Sequence, residues 1–209
     1  MTKYQIPNAT IKRLPLYYRY FQFLNDSKRD KISSSELAKA VQVDSATIRR
    51  DFSYFGSLGK RGYGYEIAPM LEFFKELLNQ SQTTKVALVG VGNLGSALLN
   101  YNFSQTNNIQ ITAAFDNNPS LINTVVNGVR VYNVDDLATE LTTQEIDVVI
   151  LSVPVASAQK VADQLVEAGV KGILNFTPIR VATPDTVRVH NVDLANELQT
   201  LIYFLNNYS

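Results

Sequence analysis

The chain has 209 residues, long for one small domain and well suited to two. Its 19 basic and 19 acidic residues cancel, and it holds no cysteine, which excludes disulfides and cysteine-based metal sites and favours an intracellular home. No apolar run approaches a membrane span and the first residues lack an apolar signal core, so a soluble cytoplasmic protein with no membrane partner is expected.

The zero net charge hides an asymmetry. Residues 1–68 carry 12 Lys/Arg against 6 Asp/Glu, and residues 69–209 carry 7 against 13. A basic head on an acidic body is a cue for nucleic-acid contact through the head.

A first helix is predicted from Ala9 to Asn25, where Leu14, Tyr17, Tyr18, Phe21 and Leu24 recur at helical spacing and Pro15 suits a first turn. Ser33-Ser-Ser-Glu36 matches a capping box, and Leu37, Ala38 and Val41 continue a short second helix. Asp44 is a fitting N-cap for a third helix, Ser45 to about Phe55. Ile48, Phe52 and Phe55 form its core stripe; Ala46, Arg50 and Ser53 take the opposite face, with Arg49 at the flank. Three short helices with the last two adjacent describe a helix-turn-helix whose final helix offers small and basic residues to a major groove. Gly56-Ser-Leu-Gly-Lys-Arg-Gly-Tyr-Gly-Tyr65 follows, glycine-rich, basic and aromatic, and is expected as a β-hairpin tip, the wing of a winged helix. Lys60 and Arg61 at that tip suit a narrow A·T minor groove. Taken singly, these motifs also fit a solvated helix face and ordinary turn glycines. The candidate DNA contacts are Ser45, Thr47, Arg49, Arg50, Ser53, Lys60, Arg61, Gly62 and Tyr63.

Met70 to Leu78 is a short amphipathic segment, and the polar run Asn79–Thr84 reads as the domain boundary. Three parts result: a DNA-binding domain with its linker helix over 1–78, a nucleotide-binding domain over 79–190, and a terminal helix over 191–209.

Lys85 to Val89 is an apolar, Val-rich run expected as a buried strand. Gly90, Gly92 and Gly95 then match G-x-G-x-x-G/A, with a helix beginning at Asn93. The first glycine serves the tight turn, the second the approach of a pyrophosphate, the third close helix–strand packing. A second run, Ile109 to Phe115, ends in Asp116, 21 residues past Gly95, where an acid accepts hydrogen bonds from ribose hydroxyls and repels a 2′-phosphate. NAD(H) is therefore favoured over NADP(H); Asp116-Asn117-Asn-Pro is also good turn chemistry.

Strands are then expected at Val129–Tyr132, Asp147–Val153, Gly172–Phe176 and Val187–His190, with helices at Asp135–Leu141 and Ala156–Ala168. This alternation predicts an α/β body, a Rossmann-type doubly wound parallel sheet. Ligands bind at the strand C-terminal ends, which places Ser152, Val153, Pro154, Asn175, Phe176 and Thr177 near the nicotinamide half. Asn175 and Thr177 suit hydrogen bonds to its carboxamide and equally suit turn chemistry, and Phe176 and Pro154 are expected to supply an apolar pocket favouring the neutral ring of NADH over charged NAD+. With Gly90, Val91, Gly92, Asn93, Leu94, Gly95, Asp116 and Asn117, they complete the candidate cofactor set. From Val192 to Leu205 a helix is expected whose stripe of Leu194, Leu198, Leu201, Ile202 and Leu205 needs a partner surface.

Four blocks carry a resemblance: Ile6-Pro-x-Ala-Thr-x-x-Arg13-Leu-Pro-x-Tyr-Tyr-Arg19, Arg49-Arg-Asp-Phe-Ser-Tyr-Phe-Gly56, Lys60-Arg-Gly-Tyr-Gly-Tyr65 and Gly90-x-Gly-Asn-Leu-Gly-x-Ala-Leu98. In this order the chain resembles the Rex family of bacterial redox-sensing transcriptional repressors over nearly its whole length. The resemblance implies a homodimer on palindromic, A·T-rich double-stranded operator DNA before fermentation and respiration genes, with NADH and NAD+ as effectors and NADH causing release. It also implies a C-terminal helix exchanged between subunits, lying between body and head, and switch roles for Tyr101, Arg19 and Asp193. By position alone, Asp193 equally suits a helix N-cap and Tyr101 a core or interface place. The chain departs from the family pattern after Asp116, where Asn-Asn-Pro stands in place of a second acid before the proline.

A dehydrogenase and a CoA- or nucleotide-binding protein are the alternatives. The first is disfavoured: hydride transfer needs a proton-moving group, yet the one histidine, His190, ends a strand and no Tyr-x-x-x-Lys pair occurs. No residue is assigned a catalytic role.

Overall fold

The aromatic stripe at helical spacing forms helix α1 (Asn8–Asp26), which buries Leu14, Tyr17, Tyr18, Phe21 and Leu24. The computed structural model describes residues 6–56, 58–59, 63–101, 103 and 108–207, and the chain divides into two units, 1–82 and 83–209.

In the first unit α1 starts earlier than Pro15 suggests, so this proline lies inside the helix and not in its first turn. Its ring is on the exposed side, and its missing N–H costs one bond to the carbonyl of Ile11. Strand β1 (Lys31–Ile32) leads to α2 (Ser34–Val41), whose predicted capping box forms: Ser33 Oγ accepts the Glu36 N–H, and Glu36 Oε2 accepts the Ser33 N–H at 2.9 Å. Helix α3 (Ser45–Ser53) is capped by Asp44 Oδ1, which accepts the Ala46 N–H at 2.7 Å. Strand β2 (Tyr65–Glu66) pairs antiparallel with β1, Ile32 opposite Tyr65. The tip of the expected wing hairpin lies outside the described residues; the strand that follows it, β2, pairs with β1, which precedes α2. Helix α4 (Ile67–Leu77) is no mere linker. Its Phe74 is fully buried, with its ring centroid 5.6 Å from Phe52 of α3 and 5.7 Å from Phe21 of α1.

The second unit runs β3 (Thr84–Val89), α5 (Asn93–Asn100), β4 (Ile109–Asp116), β5 (Val125–Val126), β6 (Val129–Asn133), a 3₁₀ turn and α6 (Leu137–Thr143). It continues with β7 (Val148–Leu151), α7 (Val155–Glu167), β8 (Gly172–Asn175), β9 (Arg188–Asn191) and α8 (Leu194–Asn207). The sheet order is β5-β6-β4-β3-β7-β8-β9, parallel throughout except for β5. Chain order therefore reverses between β3 and β7, the crevice where doubly wound sheets bind ligands. Both faces are covered: Ala87 and Val89 pack towards α6 and α7, Val86 and Leu88 towards α5. That burial explains the unbroken apolar run of β3. The unpredicted β5 is one arm of a hairpin closed by Asn127-Gly128, both at positive φ, the two-residue turn this dipeptide favours.

Helix α8 buries none of its residues within this chain, and Leu194, Leu198, Leu201, Ile202 and Leu205 stay 40–64% exposed. No helix among the described residues is long and apolar enough to cross a membrane.

Candidate functional site

Strand β3 delivers the chain to Gly90 at φ +96°, a conformation that side chains rarely adopt. The loop is braced from β4. Asp116 Oδ2 accepts the Val91 N–H at 2.7 Å, and Oδ1 accepts the Asn118 N–H at 2.8 Å. Each carboxylate oxygen has two lone pairs, so Asp116 keeps capacity for ribose hydroxyls. Helix α5 starts so close to the loop that a Cβ on Gly95 would lie 1.9 Å from the carbonyl oxygen of Gly90. Gly92 is the α5 N-cap and has no side chain to satisfy the first-turn N–H groups, and a Cβ there would meet nothing within 4 Å. An open cradle at an uncapped helix start fits a pyrophosphate. Asn93 is exposed beside it and Leu94 half-buried.

Next to the loop is a cavity of about 300 Å³ lined by Gly90, Asp116, Asn117, Asn133, Asp135, Val153, Pro154 and Lys160, among others. Its volume and its Asp116 wall fit an adenosine. This corrects the placement of Val153 and Pro154, which lie on the Asp116 side and not in a shared nicotinamide pocket with Phe176. Val153 packs with the α7-side core, whereas half-buried Phe176 packs with the α5-side core, so the sheet separates them. Ser152 Oγ donates to the Gly90 carbonyl at 2.8 Å and so serves the loop.

Asn175 also differs from expectation. It is fully buried, and its amide donates to the Ile179 carbonyl at 2.7 Å and to Asn191 Oδ1 at 2.8 Å. Its Oδ1 accepts the Thr177 N–H and hydroxyl. The carboxamide is saturated, with nothing left for a ligand, and ties the end of β8 to β9. Thr177 is buried in the same knot.

On the head, Arg49, Arg50 and Ser53 are exposed on α3, and Ser45 and Thr47 are half-buried. Arg49 Nη1 donates to Ser34 Oγ at 3.2 Å, and Ser53 Oγ turns back to the Arg50 carbonyl at 2.7 Å. Lys60, Arg61 and Gly62 lie outside the described residues. Tyr63 is 72% exposed, with the Lys31 ammonium 5.2 Å above its ring, a cation that the sequence did not mark for this face.

Of the switch candidates, Arg19 is exposed on α1. Tyr101 ends α5, more than half exposed, edge-on to Phe103 at 4.6 Å. Asp193 Oδ1 accepts the Asn196 N–H at 3.0 Å, the N-cap geometry its position also allowed.

Two sets of residues escaped sequence reasoning. Asn133, Asp135 and Lys160 reach the cavity only through the fold. Asp51 had a legible signal: a charge three residues after Ile48 and next to Phe52 sits on the core stripe, where a carboxylate needs partners.

A family model described as "Putative DNA-binding protein N-terminus" matches residues 5–53, and one described as "CoA binding domain" matches residues 81–179. The chain is 61% identical over 207 residues to the redox-sensing transcriptional repressor Rex of Lactobacillus gasseri, covering 99% of this chain and 97% of that one. It is equally similar, over 209 residues, to the protein of that name from Limosilactobacillus reuteri, covering 100% and 98%. Among solved structures, RSP in complex with β-NAD+ and operator DNA superposes with a TM-score of 0.90 at 36% identity, covering 98% of this chain and 94% of that one. RSP in complex with β-NADH gives 0.87 at 35%, covering 98% and 96%.

Proposed function

The chain belongs to the Rex family of redox-sensing transcriptional repressors, and from that premise we propose that it holds operator DNA through its first unit and releases it when NADH fills the second. It is a regulator and not an enzyme. The observation that carries this reading is a juxtaposition within one chain. A glycine loop braced by Asp116 stands beside a cavity of adenosine size, and a separate unit turns Arg49 and Arg50 outward on a helix.

The parts divide the work. The first-turn N–H groups of α5 take the pyrophosphate, Asp116 the ribose hydroxyls, and the cavity beside α7 the adenine. All three meet the same ADP half in NADH and NAD+, so they bind without discriminating. The bound nucleotide supplies a charge difference on its nicotinamide, absent in NADH and positive in NAD+. Phe176 offers half-buried apolar surface on the α5 side, where desolvating a cationic ring costs more than a neutral one. Ser152 and Asn175 then act by holding the loop and the strand ends.

The exposed stripe of α8 is assigned to a homodimer in which this helix is exchanged with the neighbouring subunit. Two heads about 34–36 Å apart would meet a palindromic, A·T-rich operator of fermentation or respiration genes in the cytoplasm. Arg19, Tyr101 and Asp193 take the switch. A coupling of about 1–3 kcal/mol changes DNA affinity about 5- to 150-fold, and DNA weakens NADH binding by the same factor.

The match to a CoA binding domain supports one second reading, because CoA shares the ADP half. A fluorescence-anisotropy titration with a palindromic A·T-rich duplex at fixed salt, with no nucleotide, NAD+, NADH or CoA, separates the two. Release by NADH alone is expected. Release by CoA, with NADH inert, would overturn the redox reading.

A further inference from the structure

The head contains a buried polar knot that DNA contact as described does not use. Asp51, on the inward side of α3, is 2% exposed. Thr10 Oγ1 donates to its Oδ1 at 2.7 Å and the Tyr17 hydroxyl to its Oδ2 at 2.6 Å. Arg13 grips both oxygens, Nε to Oδ2 and Nη2 to Oδ1, each at 2.7 Å. Thr10, Arg13 and Tyr17 follow at three- and four-residue spacing, so one face of α1 supplies every donor. The four lone-pair positions of the carboxylate are filled. Burial pushes the Asp51 carboxyl up, but the bonds from Arg13, Tyr17 and Thr10 outweigh it and hold it below the usual carboxylate range.

An ion pair is not the only arrangement that would stabilise this contact. Buried ion pairs are commonly replaced by apolar side chains at no loss, because desolvation offsets their attraction. A saturated carboxylate differs from an apolar contact in being directional. Apolar packing lets a short helix roll and slide, whereas four bonds of fixed angle hold it in one orientation. Arg50 immediately precedes Asp51, and Arg49 stands one place earlier. A roll of α3 by about 20° would carry a side-chain tip about 6 Å from the helix axis through about 2 Å. That is enough to break a paired contact with a base edge, while a flexible arginine would still reach a phosphate.

We propose that Asp51, with Thr10, Arg13 and Tyr17, is a positioning cluster that sets the roll of α3 and thereby the sequence discrimination of the head, without setting its general affinity for DNA. This rests on the DNA-binding reading above. It gives the knot a role that a merely structural cluster lacks, because discrimination and fold stability are measured separately.

The test uses the full chain with Tyr17→Phe, Thr10→Val and Thr10→Ser. Binding to the palindromic A·T-rich duplex and to a scrambled duplex of equal length is read by anisotropy at fixed salt, well below each variant's thermal midpoint. Tyr17→Phe and Thr10→Val should each lower the ratio of the two affinities by about fivefold or more, the lower end of what one paired base contact is worth. Scrambled-duplex affinity and its salt slope should not change, and Thr10→Ser, which keeps the hydroxyl, should keep the wild-type ratio. Asp51→Asn should lower the ratio further; if it does not fold, the two hydroxyl deletions decide. A wild-type ratio in Tyr17→Phe and Thr10→Val, with only the midpoint reduced, overturns the proposal and leaves the DNA-binding reading standing. A wild-type chain that treats the two duplexes alike overturns both.

Discussion

Gly95→Ala is the substitution for which the structure gives the clearest magnitude. Its Cβ would lie 1.9 Å from the Gly90 carbonyl oxygen and 2.9 Å from the Gly90 carbonyl carbon, with Ser152 Oγ at 3.2 Å. Real Cβ atoms essentially never come within 3.0 Å of a neighbour, so α5 must back away by about 1 Å. The obstruction is backbone, pinned by the Gly90 N–H to Phe115 at 2.8 Å and by the Asp116 brace, and no side chain can swing clear. Overpacking of this kind costs about 3 kcal/mol, the upper end of the usual range, which lowers the midpoint of a unit this size by roughly 10 °C. The same displacement pulls the α5 N–H groups off the pyrophosphate, and losing two charge-assisted bonds weakens nucleotide binding by about a hundredfold or more. The assay is a calorimetric melt together with an NADH fluorescence titration. Gly92→Ala is the control, since its Cβ meets nothing within 4 Å: it should melt like the wild type and still bind NADH less well, because the added methyl enters the cradle. A Gly95→Ala chain with wild-type midpoint and NADH affinity would refute the packing argument.

Asp116→Ala removes both the brace on Val91 and the ribose acceptor, and should weaken NADH and NAD+ alike by about 10- to 150-fold; titration calorimetry showing a loss for only one nucleotide would count against a shared ADP-half role. Leu198→Asp with Ile202→Asp places charge on the exposed stripe of α8 and should convert the dimer to monomer in light scattering, while a monomeric wild type would remove the proposed assembly. Acid should weaken the head. The Ser33 N–H, the Ser33 hydroxyl and Arg29 hold Glu36 at about 2, and Asp51 is also held below its ordinary value. In both cases the unfolded chain binds protons first, so this stability is present above about pH 4.3 and is lost as pH falls below it, for Glu36 through about 2. Urea midpoints of the head signal should therefore fall between pH 5 and 2.5, and a flat profile would contradict the assigned hydrogen bonds.

Sequence by itself determined what rests on local periodicity and local chemistry. The aromatic stripe of α1, the Ser33–Glu36 box, the Asp44 cap and the alternating strands of the body were legible, because each is decided within a few residues of chain. The glycine loop was legible for the same reason: a turn at positive φ and a close helix start permit few residue types. The ends of α1 were legible to within one residue, but the first-turn reading of Pro15 was not, because a proline is also tolerated on the exposed side inside a helix.

Only the tertiary structure decided which distant residues meet. Side chains at the ends of neighbouring parallel strands go to one face or the other, and nothing local states which; hence Val153 and Phe176, expected together, stand on opposite faces. Whether a polar side chain is free or spent is likewise a matter of partners far along the chain. Asn175 looked available and is saturated by Ile179, Thr177 and Asn191. Asp51 sits on a core stripe, and its four donors come from 34 to 41 residues away. Buried polar groups find their partners through space, so their roles became visible only once the chain was folded.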